Sequence, residues 1–334
     1  MTDNYNIFFS IIVPAFNVEK YIERAISSIL NQDFQNFELV IVNDGSTDNT
    51  SAIIEKYAEN HSKIIVMNHV KNESLHIVRY DGVNAANGQY IIFLDGDDYF
   101  TSNALPILYD SIIKNPGFGF YEYGYLKQPS GTTVLPSYSG NDRFSAFFAD
   151  GNNPEHTMWN KVYDSRLLKE AFLSMEKVYL NFCEDIYESI VISYFLRKSL
   201  KVDKIITNYV IGTGISTTYR DYNQTIDSLQ SIKTGLNLIQ RFLYQTGQNV
   251  NFDNLRYRLL RSMINRYVIT QKNEEIQKKL YFVLPDYFGV NAVIEYWLRK
   301  EKELVNSLDY RIGRKILASL RKIKCIIRKI CSLQ

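Results

Sequence analysis

Apolar residues over the first 125 positions follow two alternating rhythms. Phe8–Pro14 (FFSIIVP) is a continuous apolar run stopped by a proline, the pattern of a strand buried on both faces of a parallel sheet. Val18–Leu30 comes next, with Tyr21, Ile22, Ala25, Ile26 and Ile29 on one helical stripe. Phe37–Val42 predicts a second strand, ended by Asn43-Asp44-Gly45-Ser46. A helix is predicted over Thr47–Asn60, with Ser46 or Thr47 as its N-cap. Lys63–Met67 predicts a third strand, Leu75–Asn87 a weaker helix and Tyr90–Leu94 a fourth strand. Asn103–Lys114 reads as a helix closed by Asn115-Pro116-Gly117. Strand and helix in alternation predict a right-handed, mostly parallel α/β sheet flanked by helices on both faces.

Ligands of such sheets sit beyond the carboxyl ends of the strands. Polar and acidic residues concentrate there, at Ala15-Phe16-Asn17, Asn43-Asp44-Gly45 and Asp95-Gly96-Asp97-Asp98. Carboxylates crowded after a buried strand repel one another and cost stability unless a cation neutralises them. Hard oxygen donors suit Mn²⁺ or Mg²⁺, which bind one or two carboxylates together with substrate phosphates. Gly96 lets the backbone approach a ligand closely. The plain alternative is a solvated turn in which Asp98 caps the next helix. A carboxylate at Asp44 can accept a hydrogen bond from a base or ribose, a role that helix capping does not require. Glu184-Asp185 opens a helical run, Ile186–Leu196. The pair either complements the helix dipole or supplies a general base for an acceptor hydroxyl. Trp159-Asn160-Lys161 is a sugar platform or a core tryptophan with its neighbours. His61, His69, His76 and His156 show no metal-ligand spacing and read as structural or exposed.

The rest of the chain differs in texture. Gln128–Pro154 is rich in Ser, Gly, Asn and Pro and reads as an irregular link. Met158–Tyr219 mixes polar residues with helical patterns, and 221–334 is helical throughout. This predicts a first domain over 1–220 and a helical C-terminal region over 221–334. The stretch 310–334 carries eight Lys or Arg and no acidic residue, with Ile312, Ile316, Leu320, Ile323 and Ile327 on one helical face. A basic amphipathic helix of this kind is drawn to anionic lipid; the alternative is a terminal helix with a solvated basic face. A net charge of +2 argues against a dedicated nucleic-acid binder. The 25 tyrosines and 19 phenylalanines suit an ordinary core better than a carbohydrate-facing surface. Three cysteines (Cys183, Cys325, Cys331) without metal spacing suggest reduced thiols. No signal peptide and no run of 18 apolar residues is visible. The expectation is a cytoplasmic chain, peripheral on the inner membrane face through its tail.

Five segments together resemble the family 2 glycosyltransferases. They are Ser10–Asn17 (SIIVPAFN) with Glu19, Ser28–Thr50 (SILNQDFQNFELVIVNDGSTDNT), Tyr90–Asp98 (YIIFLDGDD), Trp159–Tyr163 (WNKVY) and Glu184-Asp185-Ile186. The resemblance covers roughly residues 8–218. It implies the GT-A (Rossmann-like) fold and an inverting transfer from a nucleotide diphosphate sugar, usually a UDP-sugar. It implies that Pro14, Phe16 and Glu19 line the nucleotide pocket and that Asp44 bonds the base. It places Asp95, with Gly96, near the ribose, makes Asp97 the metal ligand and Asp185 the catalytic base. Trp159, Asn160 and Glu184 would then contact acceptor or sugar. A glycan, lipid-linked or glycoprotein acceptor in cell-surface synthesis would follow.

Two segments depart from the family. A run like Gly-Leu-Ser-Ala-Ala-Arg-Asn is replaced here by Glu73–Gly82 (ESLHIVRYDG). Leu75, Arg79 and Gly82 keep the pattern; Arg79 remains able to reach a diphosphate, while His76, Ile77 and Val78 are expected to reshape the donor pocket. Tyr209–Thr218 (YVIGTGISTT) lacks the basic residue or histidine often found before its Ile-Ser. Two other functions compete. A sugar nucleotidyltransferase would need a glycine-rich triphosphate loop, which Pro14-Ala-Phe-Asn17 does not provide. A pseudo-transferase scaffold is suggested by the altered 73–82 segment, against which intact Asp97 and Asp185 stand. Self-association through 221–334 stays open.

Overall fold

The computed structural model describes residues 6–136, 142–149, 154–212, 221–268 and 274–289, with 292, 293, 295, 296 and 299. The N-terminal half alternates as the pattern predicts: β1 (Phe9–Ala15), α1 (Ile22–Leu30), β2 (Phe37–Asn43), α2 (Thr50–Asn60), β3 (Ile64–Asn68), α3 (Leu75–Ala85) and β4 (Tyr90–Phe93). There follow β5 (Tyr99–Phe100), α4 (Ala104–Lys114), β6 (Phe120–Gln128), β7 (Thr132–Val134), α5 (Arg143–Ala146), β8 (Lys161–Asp164), α6 (Ser165–Leu173), α7 (Glu184–Phe195) and β9 (Ser199–Val210). The chain continues as α8 (Tyr222–Gln245), α9 (Phe252–Met263), one π-helical turn (Ile264–Val268) and α10 (Glu274–Phe288).

The described strands form one mixed α/β sheet in the order β3-β2-β1-β4-β8-β6-β9-β5, with β7 paired to β6. β3, β2, β1 and β4 are parallel, the part that the apolar runs predict. Beyond β4 the sheet turns antiparallel through β8, and β6 then pairs in parallel with β9. The central strands are buried on both faces. Phe9, Ile11 and Val13 of β1 and Leu39 and Ile41 of β2 share a core with Ile22, Ile26 and Ile29 of α1, Ile54 of α2 and Leu105 and Leu108 of α4. The alternate residues face the other way, as the two-residue period of a strand requires. There α3 lies so close that a Cβ on Gly82 would meet Ile12 Cγ2 at 2.5 Å. Helices therefore cover both faces.

Two local expectations change. α2 begins at Thr50, not Thr47, and neither Ser46 nor Thr47 caps it. Both are engaged by Asn17: its N–H donates to Ser46 Oγ (3.1 Å) and its Oδ1 accepts from Thr47 N–H (2.8 Å). Asp48 takes over the helix start, Oδ1 accepting from Thr50 N–H at 3.0 Å. The long strand β9 lies within the stretch whose pattern reads as helical, and β6 falls on residues to which no element is assigned from the pattern.

The contacts divide the chain into two compact units, Met1–Thr218 with Thr234–Asn249, and Tyr219–Lys233 with Val250–Gln334. The second unit buries Leu255, Leu260, Ile264, Leu280, Leu284 and Phe288 on its helices. No helix among the described residues is long and apolar enough to cross a membrane. The basic tail 310–334, Cys325, Cys331 and the 213–218 part of the second departing segment lie outside the described residues. Cys183 is a buried free thiol.

Candidate active site

Three loops leave the carboxyl ends of β1, β2 and β4 side by side, and hydrogen bonds tie them together. Asp44 N–H donates to Ala15 O at 2.8 Å, and Leu94 N–H to Ile12 O at 3.0 Å. Pro14, half-buried, is the next-to-last residue of β1, and the loop after the strand carries Phe16, 37% exposed. Glu19 folds back: its Oε2 accepts from Asn49 N–H (3.0 Å) and Asn49 Nδ2 (2.8 Å), so the carboxylate sits at the N-terminus of α2. Anions are stabilised there by the unpaired helix N–H groups. Gly96 packs under β1, where a Cβ would meet Pro14 O at 2.9 Å. This close approach explains the glycine between two aspartates.

Asp44 is 3% exposed and its carboxylate is heavily used. Oδ1 pairs with His69 Nδ1 at 2.7 Å and accepts from Glu73 N–H at 2.8 Å. Oδ2 accepts from Ser74 N–H at 3.2 Å, which leaves lone-pair capacity on that oxygen. His69 Nε2 lies 3.2 Å from Asp81, which also pairs with Lys177. Asp44 thus anchors the 69–74 loop in addition to any ligand it meets.

Asp95, Asp97 and Asp98 bring carboxylate oxygens within 4.8 Å of one another. Burial, and then the nearby Asp97 and Asp185, push Asp95 up to about 7 against the pull of Arg79. Burial and the charges of Asp95 and Asp97 push Asp98 up to about 9. Asp98 Oδ1 accepts from Val210 N–H at 2.7 Å, fastening the loop to the end of β9. Its Oδ2 is buried without a hydrogen-bond partner among the described residues. Clustered hard oxygens, mutual repulsion and an orphaned carboxylate oxygen fit a small divalent cation. Arg24 supports the loop from α1, donating to Asp97 O at 2.9 Å with its guanidinium 4.2 Å from the Tyr99 ring centre.

The first turn of α7 supplies Glu184 and Asp185. Arg79, on α3 and 1% exposed, donates from NH1 to Asp185 Oδ1 at 2.5 Å and to Glu188 Oε2 at 2.8 Å. Arg79 also feels the charge of Asp95, which links the helix pair to the acidic loop. Burial and the adjacent Asp185 push Glu184 up to about 8, so it is largely protonated at neutral pH. Asp185 keeps 28% side-chain exposure, access that a proton acceptor requires.

Trp159 is 5% exposed, stacked on Tyr209 with ring centres 5.0 Å apart and edge-on to Tyr125. It is a core residue of an aromatic cluster. Asn160 is fully buried; its Oδ1 accepts from Thr157 Oγ1 and Lys161 Nζ, while Nδ2 finds no partner among the described residues. Glu188 is a participant that the sequence pattern leaves unnamed, and His76 is one that it reads only as structural or as a pocket-shaping replacement. Glu188 carries a signal, because it stands three and four residues from Asp185 and Glu184 on one helical face. His76 carries none beyond its departure from the family run. It is fully buried against α7, so the change at that position acts behind Asp185.

Residues 10–167 match the family described as Glycosyl transferase family 2. The uncharacterized glycosyltransferase EpsJ of Bacillus subtilis is 42% identical over 136 residues, 40% of this chain and 38% of that protein. The minor teichoic acid biosynthesis protein GgaB of Bacillus subtilis is 33% identical over 167 residues, 49% of this chain and 16% of that protein. The chain therefore aligns with well under two thirds of the length of these relatives. S. aureus TarS 1-349 in complex with UDP-GlcNAc shares the fold at TM-score 0.64 and 22% identity, over 86% of this chain and 82% of that one. The parallel β1-β2-β4 core and the loops it presents lie inside the matched segment, so residues 10–167, just under half of the chain, are what matches the family 2 glycosyltransferases.

Proposed function

We propose that the chain transfers a sugar, with inversion, from a nucleotide diphosphate donor to an acceptor hydroxyl in cell-surface glycan synthesis. The observation that carries this reading is the convergence of the Asp95-Asp97-Asp98 cluster and the Asp185-Arg79 pair at one end of the family sheet. UDP-sugar is the preferred donor class, consistent with the UDP-GlcNAc held by the fold neighbour. A glycan, lipid-linked or glycoprotein acceptor suits a relative named for teichoic acid biosynthesis. Residues 1–220 are the catalytic domain in this reading, and 221–334 are a helical region whose basic tail meets anionic lipid at the inner membrane face.

Each side chain has a task. Pro14, Phe16 and the Glu19-braced loop wall the nucleotide, and Asp44 offers its spare lone pair to the base. Asp95 and Gly96 border the ribose. Asp97, with its neighbours, would hold Mn²⁺ or Mg²⁺. A bound ion supplies positive charge to the departing diphosphate. Arg79 adds a fixed cation beside the same region. Asp185 takes the proton of the acceptor hydroxyl, which attacks the anomeric carbon opposite the leaving group; one displacement inverts it. Protonated Glu184 donates to acceptor or sugar oxygens, with Trp159 and Asn160 shaping the wall behind them.

The test is UDP release from a panel of UDP-sugars in Mn²⁺, with and without chelator. Chelator-sensitive release that vanishes in Asp97→Asn and Asp185→Asn supports the reading. Donor binding undiminished by chelator sinks the metal assignment, and no release with any sugar nucleotide sinks the transferase.

A further inference from the structure

His76 stands where the family run has a small residue, and the structure shows what it does there. Its Nδ1 lies 2.8 Å from Glu188 Oε1 and its Nε2 3.0 Å from the carbonyl oxygen of Glu176. His76 and Glu188 have no exposed side-chain surface. A carbonyl can only accept, so Nε2 carries a proton. Nδ1 without a proton would set two acceptors against each other, so one proton lies between Nδ1 and Oε1. The ring is fixed by Phe172 and Tyr187, with ring centres 6.4 and 5.6 Å away. The second oxygen of Glu188 holds Arg79 NH1 at 2.8 Å, and the same NH1 holds Asp185 at 2.5 Å.

We propose, on the reading of Asp185 as the base, that His76 and Glu188 are positioning residues that set how Arg79 is shared. Glu188, with its charge offset by the proton it shares with His76, competes weakly for NH1, and Asp185 keeps the stronger hold. Two changes then act in opposite senses. His76→Gln strips the shared proton, so Glu188 pulls Arg79 from Asp185 and the base holds its proton more tightly. Glu188→Gln releases NH1 to Asp185 and the base gives up its proton more readily. Other charges face Asp185 as well: Glu184 on its own helix, Asp95 from the end of β4, Lys161 from β8, and His156 from the segment before β8. Glu184 also feels the charge of Glu188 and follows it in the same sense, while Asp95, Lys161 and His156 stay in place in both variants.

The experiment measures UDP release from UDP-GlcNAc, UDP-glucose and UDP-galactose in Mn²⁺ against pH. The acid limb of kcat/KM should move up by about 1 pH unit in His76→Gln, where the charge of Glu188 is unmasked, and down by a smaller amount in Glu188→Gln, where only a weak competitor is removed. In His76→Gln/Glu188→Gln the limb should match Glu188→Gln, because His76 acts through Glu188 alone. A general loss of packing would lower the rate in both variants without opposite shifts, and that result overturns the proposal. ¹⁵N-histidine NMR decides the pair independently of turnover. His76 should show protons on both ring nitrogens in the intact chain and lose the Nδ1 proton in Glu188→Gln. A single Nε2 proton unaffected by Glu188→Gln overturns it. Failure of the intact chain to release UDP, with the expected NMR result, would remove the transferase reading while leaving the proton-sharing pair standing.

Discussion

Replacing Asp44 by alanine should destabilise the chain before any donor is added. The carboxylate is 3% exposed and receives His69 Nδ1, Glu73 N–H and Ser74 N–H at 2.7, 2.8 and 3.2 Å. Hydrogen bonds to a charged acceptor contribute about 1.5–3 kcal/mol each, and such values do not add fully within one cluster. Ser74 is also held at φ 88, a left-handed conformation that a non-glycine residue keeps only under restraint. The combined loss is on the order of 3–5 kcal/mol. At roughly 2–4 °C per kcal/mol this lowers Tm by about 10 °C. Asp44→Asn should lose less: the amide oxygen keeps His69 and Glu73, while its NH₂ opposes Ser74 N–H. The assay is thermal unfolding without ligand, followed at low temperature by titration of UDP into the folded variants. A Tm for Asp44→Ala within about 1 °C of the parent would refute the anchoring role and leave Asp44 a ligand contact only. An unchanged UDP affinity in a stable Asp44→Asn would refute the base contact.

Asp97→Asn should abolish UDP release and its Mn²⁺ dependence while leaving Tm within about 2 °C, because the residue is partly exposed at the loop; calorimetry and the release assay check both. Burial pulls Lys161 from 10.5 down to about 8, so between those values the unfolded chain binds more protons and stability rises with pH. Asp98, raised to about 9, acts in the opposite sense over part of this range, so denaturant melts from pH 8 to 10 are compared between parent and Lys161→Met, whose stability difference should change in favour of the parent by up to ~3 kcal/mol; a difference that stays constant refutes the assignment. Changing Arg321, Lys322, Lys324, Arg328 and Lys329 to Gln should reduce sedimentation with anionic vesicles several-fold at low salt, and equal sedimentation disproves the lipid contact.

What the sequence reveals and hides follows from how far each signal reaches. β1, β2 and β4 are buried on both faces, so their apolar runs are unbroken and mark strands without knowledge of a partner. The loops after them inherit their place from topology, which is why Asp44, Asp95 and Asp97 can be singled out in advance. β6 carries a strand rhythm in Tyr121, Tyr123 and Tyr125, but its pairing partner β9 lies some 80 residues on and breaks its own alternation. The register shift at Tyr123 and Gly124 is the cost of fitting two such irregular strands together. Asp98 shows the same limit: its place in the acidic run is plain, yet its partner Val210 belongs to β9, 112 residues away. Glu19 looks like a pocket residue by resemblance, and its carboxylate also braces Asn49 at the start of α2, beside the Asp48 carboxylate that accepts from Thr50 N–H. His76 is the extreme case. A histidine on a helix predicts no partner, and its meaning appears only when α3 and α7 bring it to Glu188. At full burial an unmet carboxylate oxygen is unfavourable: Arg79 serves Oε2 of Glu188 and His76 serves Oε1. A family member with a small residue at this position of α3 should therefore bring another donor or a buried water to Oε1, or replace the glutamate.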